Sequence, residues 1–199
     1  FLKGQEAQAI ERGLFRPRRK LALTAVVTWA CNLRCSHCNV IDRLEKETLR
    51  ALDPRRLRDF ILRYLAFRPT VEKVSIALLG GEPLLASSQC EAILDATSDL
   101  GAEMIYHMTT NLAVPLGEAE LGVLRRIDRI AVSLDGPKEA HNEQRVPVWE
   151  SMDPYERTLA NLKLLVDGGL ADRVHVQAAV PDEHANRESM AAFYRALMA

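Results

Sequence analysis

The 199-residue sequence lacks any apolar run approaching the roughly eighteen residues that a membrane span requires. It lacks the charged, apolar and small-residue succession of a secretory leader. It opens at Phe1 rather than Met, so a preceding segment is expected. An excess of one charge sign is missing too: 26 Lys and Arg stand against 27 Asp and Glu, for a formal net charge of −1. That balance excludes nucleic acid or an anionic membrane as a partner held by bulk charge. The short basic run from Arg16 to Lys20 reads as a solvated entry segment. Cysteine is scarce: there are four, of which Cys31, Cys35 and Cys38 fall within eight residues. Three clustered cysteines do not make an even-numbered disulfide framework, and the paired C-x2-C spacing of a closed zinc site is absent. The pattern points to metal chemistry in a reducing compartment, with the cytoplasm as the expected address.

What is present is sufficient for one domain with a sizeable core, since 48% of the residues are hydrophobic. Strand-like and helix-like patterns alternate. The β-branched run from Leu21 to Trp29 fits a buried strand. Further strands are predicted over 71–79, with Val74, Ile76 and Leu78 on one face, and over 103–110, 129–134 and 173–180. Asp53-Pro54 is an N-cap followed by proline at the first helical position. Leu57, Phe60, Ile61, Tyr64 and Leu65 then form one apolar stripe. Asp153-Pro154 repeats the device, with Leu159, Leu162 and Val166 on a helix that stops at Gly168-Gly169. Weaker helices are expected after Ser88, Glu118 and Asn186. Five β-then-α units in series predict an α/β fold with a parallel sheet and helices outside, open or rolled into a barrel.

Chemistry in such folds gathers at the carboxyl ends of the strands. The cysteine run, Gly80-Gly81-Glu82-Pro83, Thr109-Thr110-Asn111 and Ser133-Leu134-Asp135-Gly136-Pro137 each follow a predicted strand directly. The cysteine count is itself informative. Iron–sulfur cubanes are normally held by four thiolates. Three leave one iron open to a substrate or cofactor, as catalytic zinc sites keep an open position.

The CxxxCxxC run of Cys31, Cys35 and Cys38, followed one strand later by Gly80-Gly81-Glu82-Pro83, resembles the signatures of the radical S-adenosylmethionine (SAM) superfamily. The stretch from Ser133 to Arg145 is similar to one found in its SPASM and twitch-type members, the anaerobic sulfatase maturases and peptide-modifying enzymes. The resemblance implies a parallel (β/α) partial barrel from Leu21 to Ala199. It implies five of six units, with the sixth truncated, after an entry segment over 1–20. It implies a 4Fe–4S cluster on Cys31, Cys35 and Cys38, with SAM chelating the fourth iron. Reductive cleavage of SAM would give a 5′-deoxyadenosyl radical that abstracts hydrogen from substrate, the hard chemistry belonging to cluster and SAM.

The same resemblance assigns roles to further residues. Gly80, Gly81 and Glu82 would receive the methionyl amino group, Glu82 as hydrogen-bond acceptor. Ser133 would meet the ribose hydroxyls, and the forked guanidinium of Arg145 the SAM carboxylate. Asn111 would bond SAM or substrate, Gln177 would lie near the adenine, and His37, where an aromatic residue is usual, would stack on it. Asp135 reads as a turn former, and His141 as a loop-orienting or partly exposed residue. The sequence departs from the group's pattern at Asn142, in place of aspartate, and at Leu112, in place of glycine. Cys90 reads as a small core residue. An electron donor such as flavodoxin or ferredoxin and a peptide or protein substrate are the implied partners. Auxiliary iron–sulfur clusters are implied only outside this chain segment. The alternatives are a radical SAM enzyme of small-molecule or cofactor biosynthesis, and a non-catalytic zinc-binding module using His37 or Cys90 as fourth ligand.

Overall fold

The computed structural model describes residues 19–44, 52–149, 151–179 and 187–197. Most of the expected entry segment therefore lies outside the described residues. The elements in chain order are β1 Lys20–Thr28, β2 Leu33–Cys35, α1 Ile41–Leu44, α2 Pro54–Phe67, β3 Lys73–Gly80, α3 Ser87–Thr97, β4 Glu103–Thr110, α4 Glu118–Leu124, β5 Arg129–Ser133, α5 Lys138–Gln144, β6 Arg145–Pro147, α6 Pro154–Leu165, β7 Val174–Gln177 and α7 Arg187–Leu197.

β1, β3, β4, β5 and β7 make one sheet in that order, every neighbouring pair being parallel. Sequential parallel strands need a crossover each time, and helices supply it. The result is the partial (β/α) barrel that the alternating pattern anticipates. All five predicted strands form, although the last closes at Gln177; residue 180, its predicted end, lies outside the described residues. Val74, Ile76 and Leu78 are fully buried on one face of β3, as period-two alternation requires.

The helices start as their caps dictate. Asp53 accepts a bond from Arg55 N at 2.9 Å, and Asp153 accepts one from Glu156 N at 3.1 Å. Ile61 anchors α2 in the core, with Leu57, Tyr64 and Leu65 packed against it. Phe60, expected on the same stripe, is half exposed and lies beside Tyr64 instead. Val166 is also half exposed, because the chain widens into a turn over Val166–Leu170 with Gly169 at φ 80°.

Four elements were not anticipated: β2, α1, α5 and β6. The stretch 135–145, where His141 is expected on a loop, contains the helix α5, and it leads into β6. That strand pairs antiparallel with β2, setting Cys35 opposite Arg145. The cysteine loop is thus held by a ladder to a segment more than a hundred residues later.

Helix α6 fixes the loop that follows β4. Asn161, itself buried, donates from Nδ2 to the carbonyls of Leu112 at 2.8 Å and Val114 at 2.7 Å. Thr158 Oγ1 donates to Asn111 O at 2.9 Å. Asn161→Ala removes a buried side-chain donor from those two carbonyls and should lower stability by about 1–3 kcal/mol. Leu164→Ala, at a half-exposed position of the same helix, should stay within about 0.5 kcal/mol. Urea midpoints of the two variants check this.

Candidate active site

At the carboxyl edge of the sheet lies a cavity of about 460 Å³. Cys31, Cys35, Cys38 and His37 reach it from the loop after β1, Gly80 and Gly81 from the end of β3, and Asn111 from the end of β4. Ser133 comes from β5, Arg145 from the start of β6 and Gln177 from the end of β7. The strand-end motifs therefore converge on one rim, as predicted. Glu82 is the exception among the expected site residues and does not line the cavity.

Glu82 lies beneath the floor, buried. Its Oε1 accepts from Thr110 Oγ1 at 2.6 Å and Leu84 N at 3.1 Å, and its Oε2 from Asn111 N at 2.7 Å. Burial pushes this carboxyl above the ordinary range, and the Thr110 hydroxyl and the backbone N–H donors of Asn111 and Leu84 oppose that. The carboxylate expected to meet a ligand's ammonium group instead joins the end of β3 to the end of β4.

The two glycines are also held by the fold itself. Gly81 N donates to Thr28 O and Glu82 N to Ala30 O, both at 2.8 Å. A Cβ on Gly80 would stand 2.0 Å from Thr28 O, and one on Gly81 2.3 Å from Ala30 O. The close approach they permit is to the backbone leading into the cysteine loop, rather than only to a ligand.

Asn111 is similarly engaged. Its Nδ2 donates to Asn32 Oδ1 at 2.9 Å and lies 3.9 Å from Cys31 Sγ, while its Oδ1 accepts from Ala113 N at 2.8 Å. Asn32 Nδ2 completes the link by donating to Ala113 O at 2.7 Å. This buried network ties the loop after β4 to the cysteine loop. Leu112, where glycine is usual, sits in the left-handed region at φ 56° and is fully buried. Its apolar contacts offset a strain of roughly 1–2 kcal/mol.

Arg145 and Asp135 form a buried ion pair. Arg145 Nε lies 2.6 Å from Asp135 Oδ2 and Nη2 lies 2.9 Å from Oδ1. The side edge of the guanidinium is thus occupied, and the end carrying Nη1, 3.8 Å from Cys35 Sγ, faces the cavity. The expectation that Asp135 merely shapes a turn is corrected here. Asn32 and Asp135 are the two residues whose part sequence reasoning missed. For Asp135 the spacing to Arg145 inside the Ser133–Arg145 stretch was a usable signal.

The three cysteines are half-buried. Burial pushes the Cys31 thiol up to about 11 and raises Cys35, with the Arg145 charge pulling Cys35 back down. Cys90 is buried under Pro83, away from the cavity. Among the described residues no group of three or more His, Cys, Asp or Glu is arranged around a single metal ion. A tetrahedral zinc needs four donors on one point, whereas a cubane gives each thiolate its own iron. The donor set of three thiols on one cavity fits the cubane and not the zinc-binding module.

The chain belongs to the radical SAM superfamily: the sequence model of that family matches residues 26–194. That family uses a 4Fe–4S cluster and SAM. Proteins designated "Probable GTP 3',8-cyclase" from two strains of Halobacterium salinarum are 29% identical over 148 residues, covering 73% of this chain and 39% of theirs. The fold is similar to that of anSMEcpe, solved with bound AdoMet and the Cp18Cys peptide. The TM-score is 0.72 at 19% identity, over 89% of this chain and 48% of that one. BtrN in complex with AdoMet and 2-DOIA is similar at TM-score 0.52 and 16% identity, over 84% of this chain and 59% of that one. The chain thus spans less than half the length of the cyclases and of anSMEcpe.

Two outcomes follow from this geometry. Gly81→Ala should yield protein that holds little or no iron, because the new Cβ meets backbone. Gly122→Ala, where nothing lies within 4 Å, should retain iron at the level of the unaltered chain. Iron analysis after anaerobic reconstitution distinguishes them. The second concerns His141, which is fully buried and accepts from Asp135 N at Nδ1, 3.2 Å away. Burial, and then the Arg145 charge, push it down to about 4. Its folded value lies below the unfolded value of about 6.5, so the neutral ring contributes fully above that pH and the contribution is lost as pH falls towards 4. The loss between pH 7.5 and 5 should be about 2 kcal/mol. Urea unfolding at the two pH values should show that difference disappearing in His141→Gln.

Proposed function

We propose that this chain carries the radical-generating core of an enzyme that modifies a peptide or protein side chain. The observation that carries it is three cysteines, without a fourth, on one cavity ringed by the ends of all five parallel strands. Cys31, Cys35 and Cys38 would hold the 4Fe–4S cluster and leave one iron open for SAM. With SAM bound, the cluster supplies one-electron reductive cleavage of SAM and abstraction of a hydrogen atom from the substrate.

The chain's own residues bind and shield. Ser133, at the end of β5, offers a hydroxyl to the ribose. Arg145 presents Nη1 and the outer Nη2 hydrogen to the SAM carboxylate, its other edge being taken by Asp135. His37 and Gln177, both exposed and both lining the cavity, would flank the adenine. The backbone at Gly80 and Gly81 forms the wall near the methionyl amino group. The electron would come from a small donor such as flavodoxin or ferredoxin. Among the described residues no helix is long and apolar enough to cross a membrane.

The peptide substrate is supported by the Ser133–Arg145 stretch and by the fold likeness to anSMEcpe with its bound peptide. A second reading, small-molecule biosynthesis, is supported by the 29% identity to the proteins designated GTP 3',8-cyclase. Anaerobic incubation of the full-length protein with dithionite and SAM tests the shared chemistry. It should yield 5′-deoxyadenosine and methionine, be abolished by Cys31→Ala, Cys35→Ala or Cys38→Ala, and survive Cys90→Ala. Absence of 5′-deoxyadenosine from iron-loaded protein would refute both readings. A deuterated precursor peptide encoded beside the gene should pass deuterium into 5′-deoxyadenosine; transfer from deuterated GTP would favour the second.

A further inference from the structure

Asp135 ties several elements together beside the cavity. Its side chain is fully buried, and that of Arg145 is 8% exposed. Oδ1 accepts from Arg145 Nη2 and also from Ala179 N, each at 2.9 Å, and Oδ2 accepts from Arg145 Nε at 2.6 Å. Its backbone N–H is taken by His141 Nδ1. The flanking residues are anchored as well: Leu134 N donates to Gln177 O at 3.0 Å, and Tyr194 Oη donates to Leu134 O at 2.7 Å. The backbone at the end of β5 is thus held by α5, β7 and α7, and the carboxylate itself by Ala179 N–H as well as the guanidinium.

A guanidinium gripped on its side edge by a fixed carboxylate has one orientation. Here that orientation sends Nη1 to within 3.8 Å of Cys35 Sγ. Hydrogen bonds and charge at the ligand sulfurs are among the terms that set an iron–sulfur centre's potential. We propose that Asp135 is a positioning residue that aims Arg145 at Cys35, and that the aimed cation raises the reduction potential of the centre held there. This rests on the three-thiolate reading of the site. The direction follows from charge: reduction adds an electron beside a fixed cation, which favours the reduced form.

The test is an anaerobic redox titration of the reconstituted full-length protein, followed by EPR, with iron and sulfide measured on each sample. Arg145→Gln should lower the midpoint potential while iron content is retained. Asp135→Glu, which keeps the carboxylate charge but not its geometry, should lower it in the same direction, because the guanidinium is no longer held against the sulfur. The double variant Asp135→Asn/Arg145→Gln should fall no further than Arg145→Gln alone. Removing one member of a buried pair destabilises, whereas removing both charges relieves that. The double variant therefore remains measurable if a single one fails to fold, and its potential should still lie below that of the unaltered chain. An unchanged potential in Asp135→Glu, or a double variant that falls further than Arg145→Gln alone, would overturn the positioning role. A double variant with the potential of the unaltered chain would overturn the effect on the centre. An unaltered protein that takes up no iron would sink this inference together with the reading beneath it.

Discussion

The buried carboxylate of Glu82 is the interaction on which the rim depends. Its two oxygens accept three donors from the segment after β3 and from the end of β4, and its own N–H reaches Ala30 just ahead of the first cysteine. A carboxyl group in a dry interior is expensive unless hydrogen-bond partners surround it. Here they do, and the arrangement locks three strand ends together. The adjacent glycines permit it, because any side chain there would collide with the backbone of residues 28–30. A motif read as a ligand contact is therefore first a joint, and its position beside the cavity follows from that joint.

The opposite side of the cavity is built on the same principle with a different pair. Asp135 and Arg145 are both charged and both buried; one guanidinium edge donates to both carboxylate oxygens, and Ala179 N–H adds a further donor to Asp135. Buried pairs of this kind are weak evidence for stability. What this one provides is direction: one guanidinium edge is engaged and the other is left to the cavity. The neutral His141 beneath Asp135 adds no charge to the pair. Its ring lies edge-on to Tyr155 at 5.9 Å, which packs α5 against α6.

Much of this was legible in the chain. β-branched runs and Asp-Pro caps define local structure directly, so the five parallel strands and α2 and α6 were placed within a few residues. The strand-end rule then put Cys31, Gly80, Asn111 and Ser133 on one rim. The β2–β6 ladder was not legible, because three-residue strands such as Leu33–Cys35 carry no usable period. Helix α5, over Lys138–Gln144, is almost wholly polar, and its buried members are His141 and Gln144, so no apolar stripe announced it. Phe60 was misplaced because helical spacing does not say how wide the buried stripe is. The hydrogen-bond roles of Glu82 and Asn32 depend on contacts across 28 and 81 residues, the kind of pairing that one sequence does not encode locally, whereas Asp135 and Arg145 stand 10 residues apart inside one motif.

The central claim is that three thiolates leave one iron open to SAM. Addition of SAM to the reduced, reconstituted full-length protein, followed by EPR, addresses it most directly. The account predicts that the spectrum of the reduced cluster changes on SAM addition, because the cofactor enters the coordination sphere of one iron. A spectrum identical with and without saturating SAM, from protein of full iron and sulfide content, would contradict it.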